Sequence, residues 1–311
     1  MKWIKKGFVF KPSEHNIIWH KSHAMMPVVL HLDDRLRIYY TARHSDGRSR
    51  ISFLDIDKHN PSQILYIHPE PILEVGAPGT FDDCGTVATF VIHNEGKVYL
   101  YYNGYNVRNT VPWSNSIGLA ISEDNGMSFK KMYTGPIMDR LKSDSYFTIT
   151  PWIIKEDNSW HMWYTAGTNW IQIRNKLEPV YDIKYATSSD GINWERTFKT
   201  VLFTQDDEEC LARPTIVQQG NKLSMWYIYR GSRDFRDGVD SYKIGFAEGD
   251  LKEPMKWNRV DDKSGITLGP EKFDSLMQAY PYVIEVNEMK YMFYNGNGFG
   301  EEGILYAELE Q

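Results

Sequence analysis

The chain has 311 residues, long enough for one large domain or two ordinary ones. Its formal charge is −6, with Lys and Arg scattered among the acids, which excludes a basic footprint for nucleic acid and predicts a well-solvated surface. Aromatic residues make up 14%, beside 23 Gly, a mixture that suits many short strands joined by turns better than helices.

The start, Met1-Lys-Trp-Ile-Lys-Lys-Gly-Phe8, lacks the apolar run of a secretory segment, and no stretch approaches membrane-spanning length. The two cysteines, Cys84 and Cys210, form neither a disulfide framework nor a zinc pattern. A reducing, cytoplasmic setting is expected, with no membrane partner. Both thiols read as small buried fillers, because neither has a cation tied to it by sequence.

Internal repetition sets the architecture. Pro27-Val-Val-Leu, Ala88-Thr-Phe-Val, Pro151-Trp-Ile-Ile, Pro214-Thr-Ile-Val and Pro281-Tyr-Val-Ile begin 61, 63, 63 and 67 residues apart. Each is followed, after a polar turn, by an aromatic strand: Arg37-Ile-Tyr-Tyr, Val98-Tyr-Leu-Tyr-Tyr, His161-Met-Trp-Tyr, Ser224-Met-Trp-Tyr and Tyr291-Met-Phe-Tyr. A third strand recurs at Ser49–Phe53, Ser116–Ala120, Asp182–Ala186, Tyr242–Ala247 and Gly303–Ala307. Fourth strands begin near Phe129 and Trp194. The fifth unit ends without one, and Trp3-Ile-Lys-Lys-Gly-Phe-Val-Phe10 has the missing strand's character. A lone antiparallel sheet cannot bury both faces, and radial stacking of five can. The prediction is all-β: a five-bladed β-propeller over 1–311, a single domain, its ring closed by the N-terminal strand in the last blade.

Two turns, Ser122-Glu-Asp-Asn-Gly126 and Ser188-Ser-Asp-Gly191, resemble the Asp-box of sialidase propellers; they read as structure, with Asp holding the turn and Gly supplying positive φ. Gly296-Asn-Gly-Phe-Gly300 leads into a strand and reads as a turn, not a nucleotide loop. Trp163 and Trp226 read as blade packing, and Arg48 and Arg50 as structural.

Chemistry is expected where the innermost strands start and the second strands end, on one face of the ring. Five residues before each inner-strand core stand Ser22, Asp83, Tyr146, Glu209 and Leu276. Asp83 and Glu209 are therefore the candidate catalytic carboxylates. Glycosidic cleavage needs one carboxyl to protonate the leaving oxygen and another to activate water or attack, separated by roughly 6.5–9.5 Å for inversion and about 5 Å for retention. The plainer alternative is that Asp83 caps a turn and Glu209 pairs with Arg213. Around them the candidate substrate-binding residues are His23, Arg43, His44, Asn103, Tyr146, Trp170, Arg213, Arg230, Tyr280, Asn295 and Asn297, with Tyr105 and Arg233 nearby and Asp82, Ser22 and Gln278 in support. Aromatics offer faces to sugar rings, and several arginines in one cleft point to an anionic substrate. No metal motif and no cofactor site is read.

These residues resemble the arabinanase–levansucrase–invertase superfamily of five-bladed propellers, and within it a glycosidase-like branch marked by Ser22-His23-Ala24, Arg43, Arg48-Ser-Arg50, Gly79-Thr-Phe-Asp-Asp83, Arg213-Pro214, Met225-Trp-Tyr227, Arg230-Gly231, Tyr280-Pro281 and Tyr294-Asn-Gly-Asn-Gly298. The resemblance spans the whole chain. It implies a carbohydrate-active enzyme, first a glycoside hydrolase on a small or oligosaccharide substrate. The resemblance supplies the second-blade acid as Asp83, but Ser22-His23 and Tyr146 stand where hydrolases of the superfamily carry acids in blades 1 and 3. A phosphorylase, in which Arg43, His23 and Arg213 hold phosphate, and a non-catalytic carbohydrate-binding propeller are the alternatives.

Overall fold

A computed structural model describes residues 1–310. Five four-stranded antiparallel sheets stand around one axis, each with its strands in sequence order from inside to outside except the last. Blade 1 comprises His20–His31, Arg35–His44, Ser49–Asp57 and Ile64–Ile67, and blade 2 Thr86–Asn94, Lys97–Val107, Trp113–Ser122 and Lys130–Lys131. Blade 3 is Thr148–Glu156, Ser159–Ile173, Lys176–Ser188 and Glu195–Leu202. Blade 4 is Cys210–Gln219, Lys222–Arg230, Lys243–Asp250 and Trp257–Arg259, and blade 5 is Ala279–Val286, Met289–Asn295 and Ile304–Leu309. Trp3–Phe10 pairs antiparallel with Ile304–Leu309 as the outer strand of blade 5, so the two ends of the chain close the ring as expected. No helix among the described residues is long and apolar enough to cross a membrane.

The aromatic pair in each second strand explains why the blades stack. Alternation sends the two rings to opposite faces of the sheet. The first reaches the neighbouring blade's outer turn: Tyr39 donates its hydroxyl to Gly126 O at 2.8 Å, Tyr101 to Gly191 O at 2.7 Å, and Trp163 its indole N–H to Pro254 O at 2.9 Å. Those turns are the two Asp-box-like segments and their blade 4 counterpart. Asp124 Oδ1 accepts the N–H groups of Met127 and Ser128, and Asp190 Oδ1 those of Ile192 and Asn193, so both acids are structural.

The second ring of the pair ends on a carboxylate, buried in three blades and half-buried at Asp261. Tyr102 donates to Asp82, Tyr164 to Asp144, Tyr227 to Asp261 and Tyr294 to Asp274, at 2.5–3.0 Å. A cation completes each unit: Lys131, Lys184, Arg259 and Lys5 lie 2.6–2.9 Å from those same carboxylates. Buried charge is tolerated here because every carboxylate is both hydrogen-bonded and paired. Asp82, expected to support the site, thus belongs to a device that four blades repeat.

A second repeat joins the blades near the axis. The side chain just beyond the aromatic pair accepts a backbone N–H from the next blade's inner strand. Ala88 N donates to Thr41, Thr150 N to Asn103, Arg213 N to Thr165 and Met26 N to Asn295, at 2.8–3.2 Å.

Candidate functional site

Every inner strand carries a register shift, at Met25/Val28, Ala88/Phe90, Ile149/Trp152, Ala212/Thr215 and Ala279/Tyr282. In four blades the residue at this bulge precedes proline and has positive φ: Met26 (54°), Thr150 (45°), Arg213 (56°) and Tyr280 (56°). A residue before proline favours extended backbone, and positive φ in a residue with a Cβ is strained. The bulge re-aims the side chain, and all four line one axial cavity of about 290 Å³.

Arg213 forms the floor of that cavity and touches every blade. It sits in blade 4, donates from Nη1 to Thr89 O and from Nη2 to Pro27 O (2.9 Å), takes its own N–H to Thr165, and lies over the ring of Tyr282. Its Nε is buried without a partner, and no carboxylate pairs with it among the described residues; burial pulls its pKa down to about 10. Glu209 is therefore not its partner. Arg230 lines the wall, donating to the hydroxyls of Tyr181 and Tyr242 and to the carbonyls of Gly231 and Pro179. It too has hydrogen bonds but no carboxylate. Phe235 is held between two guanidiniums, Arg230 at 3.9 Å and Arg236 at 4.3 Å from its ring centre. Arg236 forms a two-point pair with Glu178 at 2.6 and 2.9 Å. Trp113, Tyr105, Tyr181, Tyr242 and Phe299 supply aromatic surface; Asn115 also lines the space, and its Oδ1 is buried without a partner among the described residues. No acidic residue is among the lining residues.

Of the residues expected from sequence, Asn103, Arg213, Arg230 and Tyr280 meet at this cavity, as does Tyr105. Asn103 also spends its Oδ1 on the blade joint. The two candidate carboxylates are not among its lining residues. Asp83 closes its own turn, accepting from Gly79 N at 2.8 Å and Asn106 Nδ2 at 2.6 Å. The Gly79 N–H, helped by Cys84, Asn106 and the Arg48 charge, holds its carboxyl below the usual range. The turn still abuts the mouth, because Cys84 N donates to Tyr105 O. Glu209 meets Arg259 in a fork of two 2.7 Å bonds and accepts Gln205 N at 2.6 Å.

The other expected residues have mixed positions. His23, with φ 67°, is buried and bonds Ser22 Oγ at 2.8 Å; burial first, then the nearby Arg43 charge, lowers its pKa to about 4. Arg43 is exposed and makes no side-chain hydrogen bond or ion pair among the described residues. His44 lies beside Asp46 and stacks on Trp19 at the outer rim. Tyr146 is 37% exposed on the rim, and Trp170 packs edge-on behind Trp113 at 5.0 Å. Asn295 is fully buried, donating to Ala24 O and Gly303 O. Asn297 accepts the N–H groups of Leu276 and Met277, and Gln278 donates to Thr267 O and Asp274. These last three are not among the residues that line the cavity. Cys210 is buried as expected, whereas Cys84 is half-buried and accepts Val107 N–H at its sulfur.

Trp113, Asn115, Tyr181, Tyr242, Phe235 and Arg236 were missed. Trp113 opens the third strand of blade 2 with Asn115 two residues on, Tyr242 stands just before that of blade 4, and Tyr181 lies inside the long third strand of blade 3; these strands return from the face on which the second strands end. That topological fact, applied to Trp113, Tyr181 and Tyr242, is the signal that would have found them.

No family model matches the chain. Over the whole length of both chains it is 34% identical to the uncharacterized protein MT1551 of Mycobacterium tuberculosis (strain CDC 1551 / Oshkosh). A stretch of 92 residues, 27% of this chain and 30% of the relative, is 36% identical to a beta-1,2-mannobiose phosphorylase of Thermoanaerobacter sp. (strain X514). Among solved structures it superposes on a glycoside hydrolase with TM-score 0.76, at 17% identity over 99% of this chain and 92% of that one. A thermostable family-43 glycoside hydrolase gives 0.66, at 17% identity over 92% and 88%. The GH32 beta-fructofuranosidase BmSUC1 of Bombyx mori gives 0.62, at 16% identity over 96% and 63%. The chain thus belongs to the family of the full-length mycobacterial relative, and its fold is the five-bladed propeller shared with GH43- and GH32-type glycoside hydrolases.

Proposed function

We propose that this protein is a carbohydrate-active enzyme that holds an anionic sugar in the axial cavity. One observation carries the reading: Arg213 and Arg230 are buried at an aromatic-lined cavity and neither has a carboxylate partner among the described residues. A buried cation without a counter-ion favours an anion brought by the ligand, since charge in a low-dielectric site is otherwise uncompensated. The arginines' remaining hydrogen bonds hold the guanidiniums in place beforehand, so little ordering is lost on binding.

Glycosyl transfer to phosphate is the second reading, favoured by the lack of an acidic residue among those lining the cavity and supported by the partial likeness to a phosphorylase. In phosphorolysis a phosphate oxygen attacks the anomeric carbon, and no water-activating base is needed. For hydrolysis by Asp83 and Glu209, Glu209 must first leave Arg259. Asp83, beside the mouth, is the carboxylate we assign to bond cleavage in either reaction; because its turn favours the ionised form, it must leave the Gly79 N–H and take up a proton before it can give one to the leaving oxygen in phosphorolysis.

The test is a melting-temperature screen of sugars, sugar phosphates and acidic sugars, followed by turnover with and without phosphate. A ligand at a hundred times its Kd stabilises by roughly 2.7 kcal/mol, which a melting curve resolves. An anionic sugar should stabilise the protein, and Asp83→Asn should keep binding while losing turnover. Turnover only with phosphate identifies phosphorolysis. Stabilisation by neutral sugars alone would sink the anionic reading.

A further inference from the structure

Arg236 lines more than the axial cavity. That residue also lines an outer cleft of about 620 Å³, walled by the loop Arg108–Pro112 of blade 2 and the long hairpin of blade 3. Arg236 borders both, and Pro112 and Glu178 of the outer cleft are the chain neighbours of Trp113 and Pro179 of the axial cavity. The blade 3 hairpin reaches the cleft because its strands, Ser159–Ile173 and Lys176–Ser188, are 15 and 13 residues long and project beyond the sheet.

The charge of the combined space is opposite to that of the molecule. Across both spaces the lining carries five cations, namely Arg213, Arg230, Arg236, Arg108 and Lys176, against a single carboxylate. That carboxylate, Glu178, is buried and spent on Arg236. Arg108 and Lys176 are exposed and make no side-chain hydrogen bond or ion pair among the described residues. The chain as a whole bears −6, so this concentration is local. A cleft lined by one sign of charge focuses field and attracts the opposite charge.

The geometry points to a ligand with a second anionic group: a glycoside whose sugar occupies the axial cavity and whose continuation places another anion in the outer cleft against Arg108 and Lys176. This rests on the anionic reading of the axial cavity. Either an acidic oligosaccharide or a sugar joined to a diphosphate has that chemistry.

The full chain would be titrated calorimetrically with two pairs of probes: galacturonic acid against trigalacturonic acid, and glucose 1-phosphate against UDP-glucose. In at least one pair the longer probe should bind about tenfold tighter, a gain of about 1.4 kcal/mol. The double variant Arg108→Ala/Lys176→Ala, which alters only exposed side chains, should abolish that gain and leave the short probe's Kd unchanged. The gain should also shrink as salt rises, because these charges are solvent-exposed. Which pair shows it tells the two sources apart. If the short probes bind and the longer ones gain nothing, or keep their gain in the double variant, the outer-cleft inference falls while the axial reading stands. If none of the four binds, both fall.

Discussion

His23 shows what one buried titratable group does to this fold. Burial, reinforced by Arg43, keeps its imidazole neutral down to about pH 4, against an ordinary value of 6.5. Between those two values the unfolded chain binds a proton that the folded chain refuses, so stability must rise with pH across that window and fall as pH drops through it. The size is on the order of 2 kcal/mol once residual solvent access is allowed for. His23→Gln should flatten the difference in urea midpoint between pH 6.5 and 4 relative to wild type. An unchanged slope would mean that the ring is protonated in the fold. The same residue marks the limit of sequence reading. His23 stands where its Ser-His-Ala motif placed it, near the axis, yet its side chain turns to Ser22 and away from the cavity wall. A one-residue bulge decides such outcomes, and no spacing rule in the sequence announces it. Asp83 and Glu209 follow the same logic. Their matching positions were legible; that Gly79 and Arg259 would claim their oxygens was not.

At the scale of the strand, the paired aromatics were legible as packing, but their carboxylate partners were not, because one of the four acids comes from the far end of its blade and the spacing of the others is not constant. Asp82 and Asp144 precede inner strands by four residues, whereas Asp261 follows an outer strand. Blade 1 breaks the pattern: Tyr40 is fully buried and has no carboxylate at its hydroxyl. The two tyrosines therefore make a matched comparison. Tyr164→Phe removes a donor from Asp144, a wholly buried carboxylate that also holds Lys184 and Arg196, and should cost about 1–3 kcal/mol. Tyr40→Phe removes no such bond and should cost clearly less. Chemical denaturation of both variants, with matched m-values, gives the difference directly. Equal losses would show that ring packing alone, not the carboxylate unit, stabilises these strands.

For the whole molecule the decisive contact is the one between the ends of the chain. The five-fold repeat predicted the ring, and the incomplete fifth unit predicted its closure, because a missing outer strand leaves a sheet edge exposed. The structure makes that closure more than edge pairing. Trp3 is 5% exposed and packs edge-on against Trp226 of blade 4 at 5.7 Å, Trp3 N donates to Gly265 O, and Lys5 completes the buried carboxylate of Asp274. The first strand thus fastens blade 5 to blade 4 and supplies the charge that Tyr294 and Gln278 share through Asp274. The position of the Tyr280 bulge in the axial cavity depends on that blade staying in place. Removing residues 1–10 should therefore expose the Ile304–Leu309 edge, strand Asp274 without its cation and loosen the cavity together with the ring. The expected result is a protein that aggregates or melts far below wild type, with anionic-sugar binding lost in parallel. Lys5→Met separates the parts, since it keeps the strand and removes only the charge. Leaving a buried carboxylate without its cation costs about 3–5 kcal/mol by precedent. If Lys5→Met melts like wild type while the truncation collapses, strand pairing and Trp3 hold the ring closed and the Lys5–Asp274 pair is incidental to it.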